Sequence, residues 1–130
     1  MPRYLTMVKG DENHAEPTPA LFAAIEKLMK DAGKKLVGVG GLLPSKRGAL
    51  ARLRKGKISM TDGPFTETKE LIGWFAIYQV DTLAEAKEWT RRFLQVHIDH
   101  FPGWDCEVEI REMMDEPPAT EAAAGGGLRR

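Results

Sequence analysis

The sequence predicts an α+β fold: an antiparallel sheet with two helices packed on one of its faces. Three observations carry this reading. Residues 18–33 and 82–94 place apolar side chains at helical spacing, each behind its own start signal. Short β-prone runs, bounded by turn residues, stand before, between and after those two segments. The connections are short, which keeps consecutive elements close together. The resulting order, β-α-β-β-β-β-α-β, fits a ferredoxin-like protomer carrying an extra hairpin.

Residues 4–8 are short, apolar and β-prone, and make the first strand. A polar loop over 9–17 follows, containing Asp11, Glu12, His14 and Glu16. Thr18-Pro19 starts the first helix, with Thr as N-cap and Pro at the first helical position. Leu21, Phe22, Ile25, Leu28 and Met29 form its apolar stripe. Gly33 ends it, with Lys30 and Lys34 near the negative end of the dipole. Residues 36–41 are β-branched and glycine-rich, a strand that another backbone or a ligand approaches closely. Residues 49–54 and 57–61 make a hairpin about the two-residue turn Lys55-Gly56.

Residues 73–80 are apolar on both faces, so the strand they form needs cover on both sides. Helices supply one cover. In so short a chain a second copy of the protein supplies the other, and a homodimer is expected. Thr82 and Glu85 then form a capping box. Behind it Leu83, Ala86, Trp89, Thr90, Phe93 and Leu94 face inward, and Glu88 is spaced to pair with Arg92. Cys106, Val108 and Ile110 alternate with Glu107, Glu109 and Arg111 in a half-buried last strand. The domain is expected over 1–114. Residues 115–130, with Pro117-Pro118, an alanine run and three glycines, have nothing to bury and are expected to form a flexible tail.

Composition excludes several classes. At 130 residues, 42% apolar and 29% charged, the chain suits one soluble domain and no more. No apolar run is long enough to span a bilayer and no leader is recognisable, so no membrane role is expected. A single cysteine excludes an internal disulfide and suits a reducing, cytoplasmic location. Residues 1–60 hold 12 Lys/Arg against 5 Asp/Glu, or +7, and residues 61–130 hold 7 against 14, or −7. The basic residues of the first half lack interleaved aromatics, and direct nucleic-acid binding is not expected. Neither a P-loop nor a dinucleotide fingerprint is present, and no cofactor is expected. His97 and His100, three residues apart without a third clear ligand, do not make a metal site.

The most structured polar stretch is 61–70. Asp62-Gly63-Pro64 is a turn sequence and Phe65 an aromatic anchor behind it. Asp62-Gly63-Pro64-Phe65, followed by Glu67, Lys69-Glu70 and Gly73, resembles the signature of the DGPF branch of the YCII-related family. The resemblance covers roughly residues 1–113. It implies a ferredoxin-like protomer pairing into a dimeric α/β barrel, and a His–Asp active site with the histidine early in the chain. It also implies a functional link to extracytoplasmic-function sigma factors, beside which relatives are encoded. One departure stands out: where the family shows a second glycine after Gly73, this chain has Trp74, which narrows the space there.

Two functional readings follow. In the first, the protein is a small-molecule enzyme in which Asp62 acts as an acid/base carboxylate, partnered by His14 or Glu67. Lys69, Glu70, Thr61 and the backbone at Gly41 would then hold the ligand. The plain structural account makes Asp62 a turn-former and Lys69 one half of a surface ion pair. In the second, the protein is a non-catalytic ligand-sensing or regulatory module that works as a dimer. A third possibility has Trp74, Phe75 and Tyr78 lining a dry pocket for an apolar substrate, against their use as core and interface.

Overall fold

The computed structural model describes residues 1–65 and 71–115. The expectations for Glu67, Lys69 and Glu70, and for the tail from 116 on, lie outside the described residues. The chain runs β1 (Arg3–Gly10), α1 (Pro19–Ala32), β2 (Leu36–Gly41), β3 (Ala49–Arg54), β4 (Lys57–Asp62), β5 (Leu71–Gln79), α2 (Leu83–His100) and β6 (Glu107–Glu112). Single 3-10 turns occupy Gly33–Lys35 and Ser45–Arg47. Strands β2, β5, β1 and β6 lie side by side in that order, every neighbouring pair antiparallel. Each helix thus crosses over between two strands that share a direction, with a third strand between them. The architecture is α+β and compatible with the ferredoxin-like arrangement. None of the helices is long and apolar enough to cross a membrane among the described residues.

Local chemistry accounts for both helices. Thr18 Oγ1 accepts from the Leu21 N–H at 3.2 Å, and Gly33, at φ 55°, returns its own N–H to the Met29 carbonyl. Thr82 Oγ1 accepts from the Glu85 N–H, also at 3.2 Å. The Glu85 carboxylate reaches Lys35 at 2.7 Å, and this bond is the main cause holding it below the usual carboxylate range. Lys35 therefore ties the end of the first crossover to the start of the second helix. The expected Glu88–Arg92 pair does not form: Glu88 meets Arg91 at 3.5 Å, and Arg92 reaches across to Asp31 of α1 at 3.6 Å. Arg92 also lies 4.4 Å above the Trp89 ring, a contact a free surface pair would forgo.

The core lies between the helices and one face of the sheet. Tyr4, Val8, Ala76 and Tyr78 meet Leu28, Ala32, Ala86, Trp89 and Phe93 there. Tyr78 stacks on Trp89 at 6.1 Å. Two expected members of the stripes fall outside the core. Phe22 and Leu83, in the first turns of their helices, are 58% and 44% exposed. Stripe periodicity says which way a side chain points, not where the opposing sheet ends.

The other face of the sheet carries Leu5, Met7, Phe75 and Ile77, all half-buried in the single chain. Phe75 and Ile77 lean over the glycines of β2. A Cβ at Gly40 would stand 3.0 Å from Phe75 Cε1, and one at Gly38 would stand 3.2 Å from Ile77 Cδ1. The close approach expected of this strand is therefore made by neighbouring side chains on that face.

β3 and β4 form a separate two-stranded sheet. Lys55 and Gly56 both have positive φ, 51° and 77°, as the tight hairpin turn requires. Leu53, Ile58 and Met60 share one face of it and are exposed. The base of the hairpin is held at Ser45. The Gly63 N–H donates to the Gly48 carbonyl at 2.9 Å, and the Phe65 N–H donates to Ser45 Oγ at 3.2 Å. A Cβ on Gly63 would run directly into the Ser45 carbonyl oxygen. Glycine is therefore demanded here by contact as well as by turn chemistry. Gly63→Ala is expected to destabilise the fold by about 2 kcal/mol or more, since the obstruction is backbone rather than a movable side chain. Urea unfolding of the two proteins checks this, and an unchanged midpoint would refute it.

Candidate functional site

A cleft of about 680 Å³ opens beside the core, where the β1–α1 loop faces the chain leaving β2. This volume is in the range of small-molecule sites. One wall is the loop from Gly10 to Pro17 and another is Gly41 to Pro44. Leu71, Ile72, Gly73 and Trp74 of β5 make the floor, and Leu21, Phe22 and Ile25 of α1 close one side. Phe93, His97, Phe101 and Trp104 close the other, from the end of α2 and the turn after it. Gly103, at φ 85°, turns the chain so that Trp104 comes back against the helix.

The aromatic rings interlock. His97 lies 4.5 Å from Phe93 and 4.6 Å from Trp104 between centroids, and Phe101 lies 5.8 Å from Trp104. His14 stands edge-on to Phe101 and Trp104 at 5.9 and 6.4 Å. The Trp104 Nε1–H is buried with no hydrogen-bond partner among the described residues. Orphan donors of this kind carry a cost of about 1–3 kcal/mol and are concentrated where a structure has been shaped for something other than stability.

Both histidines have a defined proton. His97 Nδ1–H donates to the Phe93 carbonyl at 2.9 Å, and His14 Nδ1–H donates to the Ala15 carbonyl at 2.8 Å. A carbonyl only accepts, so in each neutral ring the basic lone pair is on Nε2. Burial pushes the His97 imidazole below its ordinary pKa, which keeps it neutral at physiological pH. Cys106, half-buried near the same end of the sheet, is pushed up by burial and then by Asp105, so its thiol stays protonated.

Glu12 joins the two rims. Its Oε1 accepts from the Ser45 N–H at 2.9 Å and its Oε2 from the Ser45 hydroxyl at 2.8 Å. Since Ser45 also receives the Phe65 N–H, the loop carrying His14 is coupled to the turn at Gly63-Pro64-Phe65. Asp11 Oδ1 accepts from the Asn13 N–H at 2.9 Å, which shapes the loop ahead of His14.

Of the residues singled out in the sequence, His14 and Gly41 line this cleft. Trp74 lies against Gly41, with its ring 3.3 Å from where a Cβ there would be, and so narrows the floor as anticipated. Asp62 and Thr61 are exposed at the end of β4 and are not among the residues of the cleft. The Asp62 carboxylate has no hydrogen-bond partner among the described residues. The structure does not bring His14 and Asp62 into one cavity. The sequence reading missed His97, Trp104 and the Glu12–Ser45 link. His97 had a signal: it continues the inward spacing Ala86, Thr90, Phe93, whereas His100 is exposed.

A family model for the YCII-related domain matches residues 2–114, and the chain belongs to that family. No curated protein matches it.

The buried imidazole makes a pH prediction. Its pKa is lower folded than unfolded, so the unfolded chain binds more protons below neutrality and stability falls with pH. The loss starts as pH drops through the ordinary imidazole value of about 6.5 and continues toward the lowered one. Thermal unfolding of wild type and His97→Phe between pH 8 and 5 is expected to show a shallower acid slope in the variant; equal slopes would refute it.

Proposed function

We propose that this YCII-related protein, which we place in the DGPF branch on its Asp62-Gly63-Pro64-Phe65 turn, is a small-molecule enzyme whose site is the aromatic cleft. The observation that carries the reading is the pairing of two imidazoles in one cavity, each with Nδ1 committed to a backbone carbonyl and Nε2 left as a base. His14 is exposed to solvent, while His97 is buried among rings, which holds its imidazole below its ordinary pKa. One exposed and one buried base at a single cleft suit proton transfer on a substrate that is itself largely apolar. Within one chain this assigns the acid/base work to His14 and His97, in place of a centre built on Asp62.

Gly73 permits a direct test. It lines the cleft, and a Cβ there would meet nothing within 4 Å, so a side chain can start from this position without a backbone clash. Compounds from a metabolite library that raise the wild-type melting temperature should fail to raise that of Gly73→Phe, which itself still folds. Equal stabilisation of both proteins would place binding elsewhere. A ligand bound by wild type but returned unchanged would favour the regulatory reading, in which the cleft senses a metabolite for a partner such as a sigma factor.

We infer further that two chains pair through the half-exposed sheet face of Leu5, Met7, Phe75 and Ile77. Its support is an apolar centre flanked by Arg3, Lys9, Glu109 and Arg111, the composition of an interface with a polar rim. Solution scattering at micromolar concentration is expected to give a dimer mass for wild type and a monomer mass for Ile77→Glu. A monomeric wild type would overturn the pairing and leave the cleft reading standing.

A further inference from the structure

Among the described residues the charge of the cleft is one-sided. Its charged lining residues are Asp11, Glu12 and Glu16, all acidic, and neither lysine nor arginine lines it among the described residues. Lys9, adjacent to two lining residues, sends its ammonium to Glu109, and the strand alternation puts that pair on the opposite face of the sheet from Val8. Glu12 receives its two hydrogen bonds from uncharged groups of Ser45, and no ion pair to it is made among the described residues. Asp11 accepts from a backbone N–H.

The apolar lining mixes aliphatic side chains such as Leu21, Ile25, Leu42 and Leu71 with a set of aromatic rings. Trp74 and Phe93 stack at 6.1 Å, and Phe93, His97, Trp104 and Phe101 continue from them as a chain of ring contacts. Ring faces carry negative electrostatic potential and attract cations, most strongly where water is excluded. An anion placed here would meet carboxylates and aromatic rings, with no guanidinium or ammonium among the described lining residues to receive it. An uncharged molecule would gain the apolar contacts alone. A cation would gain both.

We propose that the cleft selects an organic cation: an amine with a flat or aliphatic apolar body, its body among the rings and its ammonium toward Asp11 and Glu16. This rests on the reading of the cleft as the ligand site and adds the sign of charge to it. The neutral Nε2 of His97 is then a hydrogen-bond acceptor for an N–H of the ligand, consistent with a site that binds donors rather than acceptors. The cavity and its rings make the site, and the carboxylates decide which ligand it prefers.

The test uses three probes of one shape: 2-phenylethylammonium, 2-phenylethanol and 3-phenylpropionate. Their binding to the full chain at low ionic strength is followed by calorimetry and by the fluorescence of the cleft tryptophans. The ammonium is expected to bind at least about tenfold more tightly than the alcohol, and the carboxylate more weakly than either. In the double variant Asp11→Asn with Glu16→Gln, the ammonium should lose most of that advantage. The amide introduced by Asp11→Asn retains an acceptor for the Asn13 N–H, so the loop keeps its shape. Alcohol and ammonium binding equally, or the carboxylate binding best, would overturn the charge preference while leaving the cleft as a ligand site. Saturation by none of the three, with unchanged fluorescence, would overturn both.

Discussion

The Glu12 carboxylate and Ser45 are 33 residues apart in the chain, and their double hydrogen bond holds the site end of the molecule together. Three connecting segments meet there. Glu12 fixes the β1–α1 loop, the Ser45 turn starts the hairpin, and the Phe65 N–H brings in the chain after β4. Hydrogen bonds to a charged acceptor are worth more than neutral ones, about 1.5–3 kcal/mol each when removed. Among the described residues this link joins the two rims of the cleft directly, and it couples the loop carrying His14 to the base of the hairpin.

The same link revises the meaning of the Asp-Gly-Pro-Phe turn. Gly63 is pressed against the Ser45 carbonyl and Phe65 donates to the Ser45 hydroxyl, so two of the four residues seat the turn on the loop system. Asp62 stays outside that contact, exposed and unpartnered among the described residues. The described part of the motif thereby seats the hairpin on the loop system and does not line the cleft. The two histidines that line it come from the first crossover loop and from the last turn of α2, which the sheet order places at the same end of the molecule.

Much of the fold was legible in the sequence. Thr18, Pro19 and Gly33 mark α1, Thr82 marks the start of α2, and Lys55-Gly56 marks the hairpin, each through a preference that acts within a few residues. The site was legible only in fragments. His14 and Gly41 were identifiable as a loop histidine and a strand-ending glycine, and both line the cleft. His97 read as half of a histidine pair that makes no metal site, because sequence shows the stripe but not how far the opposing wall extends. Trp104 follows a Pro-Gly break and had no periodicity to place it.

What the sequence determined by itself is the set of elements, their order and the two-faced apolar character of β5, since capping, turn chemistry and periodicity are local properties. The tertiary structure alone decided which polar groups share a cavity. Sheet order β2-β5-β1-β6 brings the loop after β1, the exit of β2 and the end of α2 to one edge. No local rule predicts that Glu12 will face Ser45, or that His97 will face Trp104 while Asp62 faces water. Such pairings depend on long-range strand contacts, and so does the chemistry.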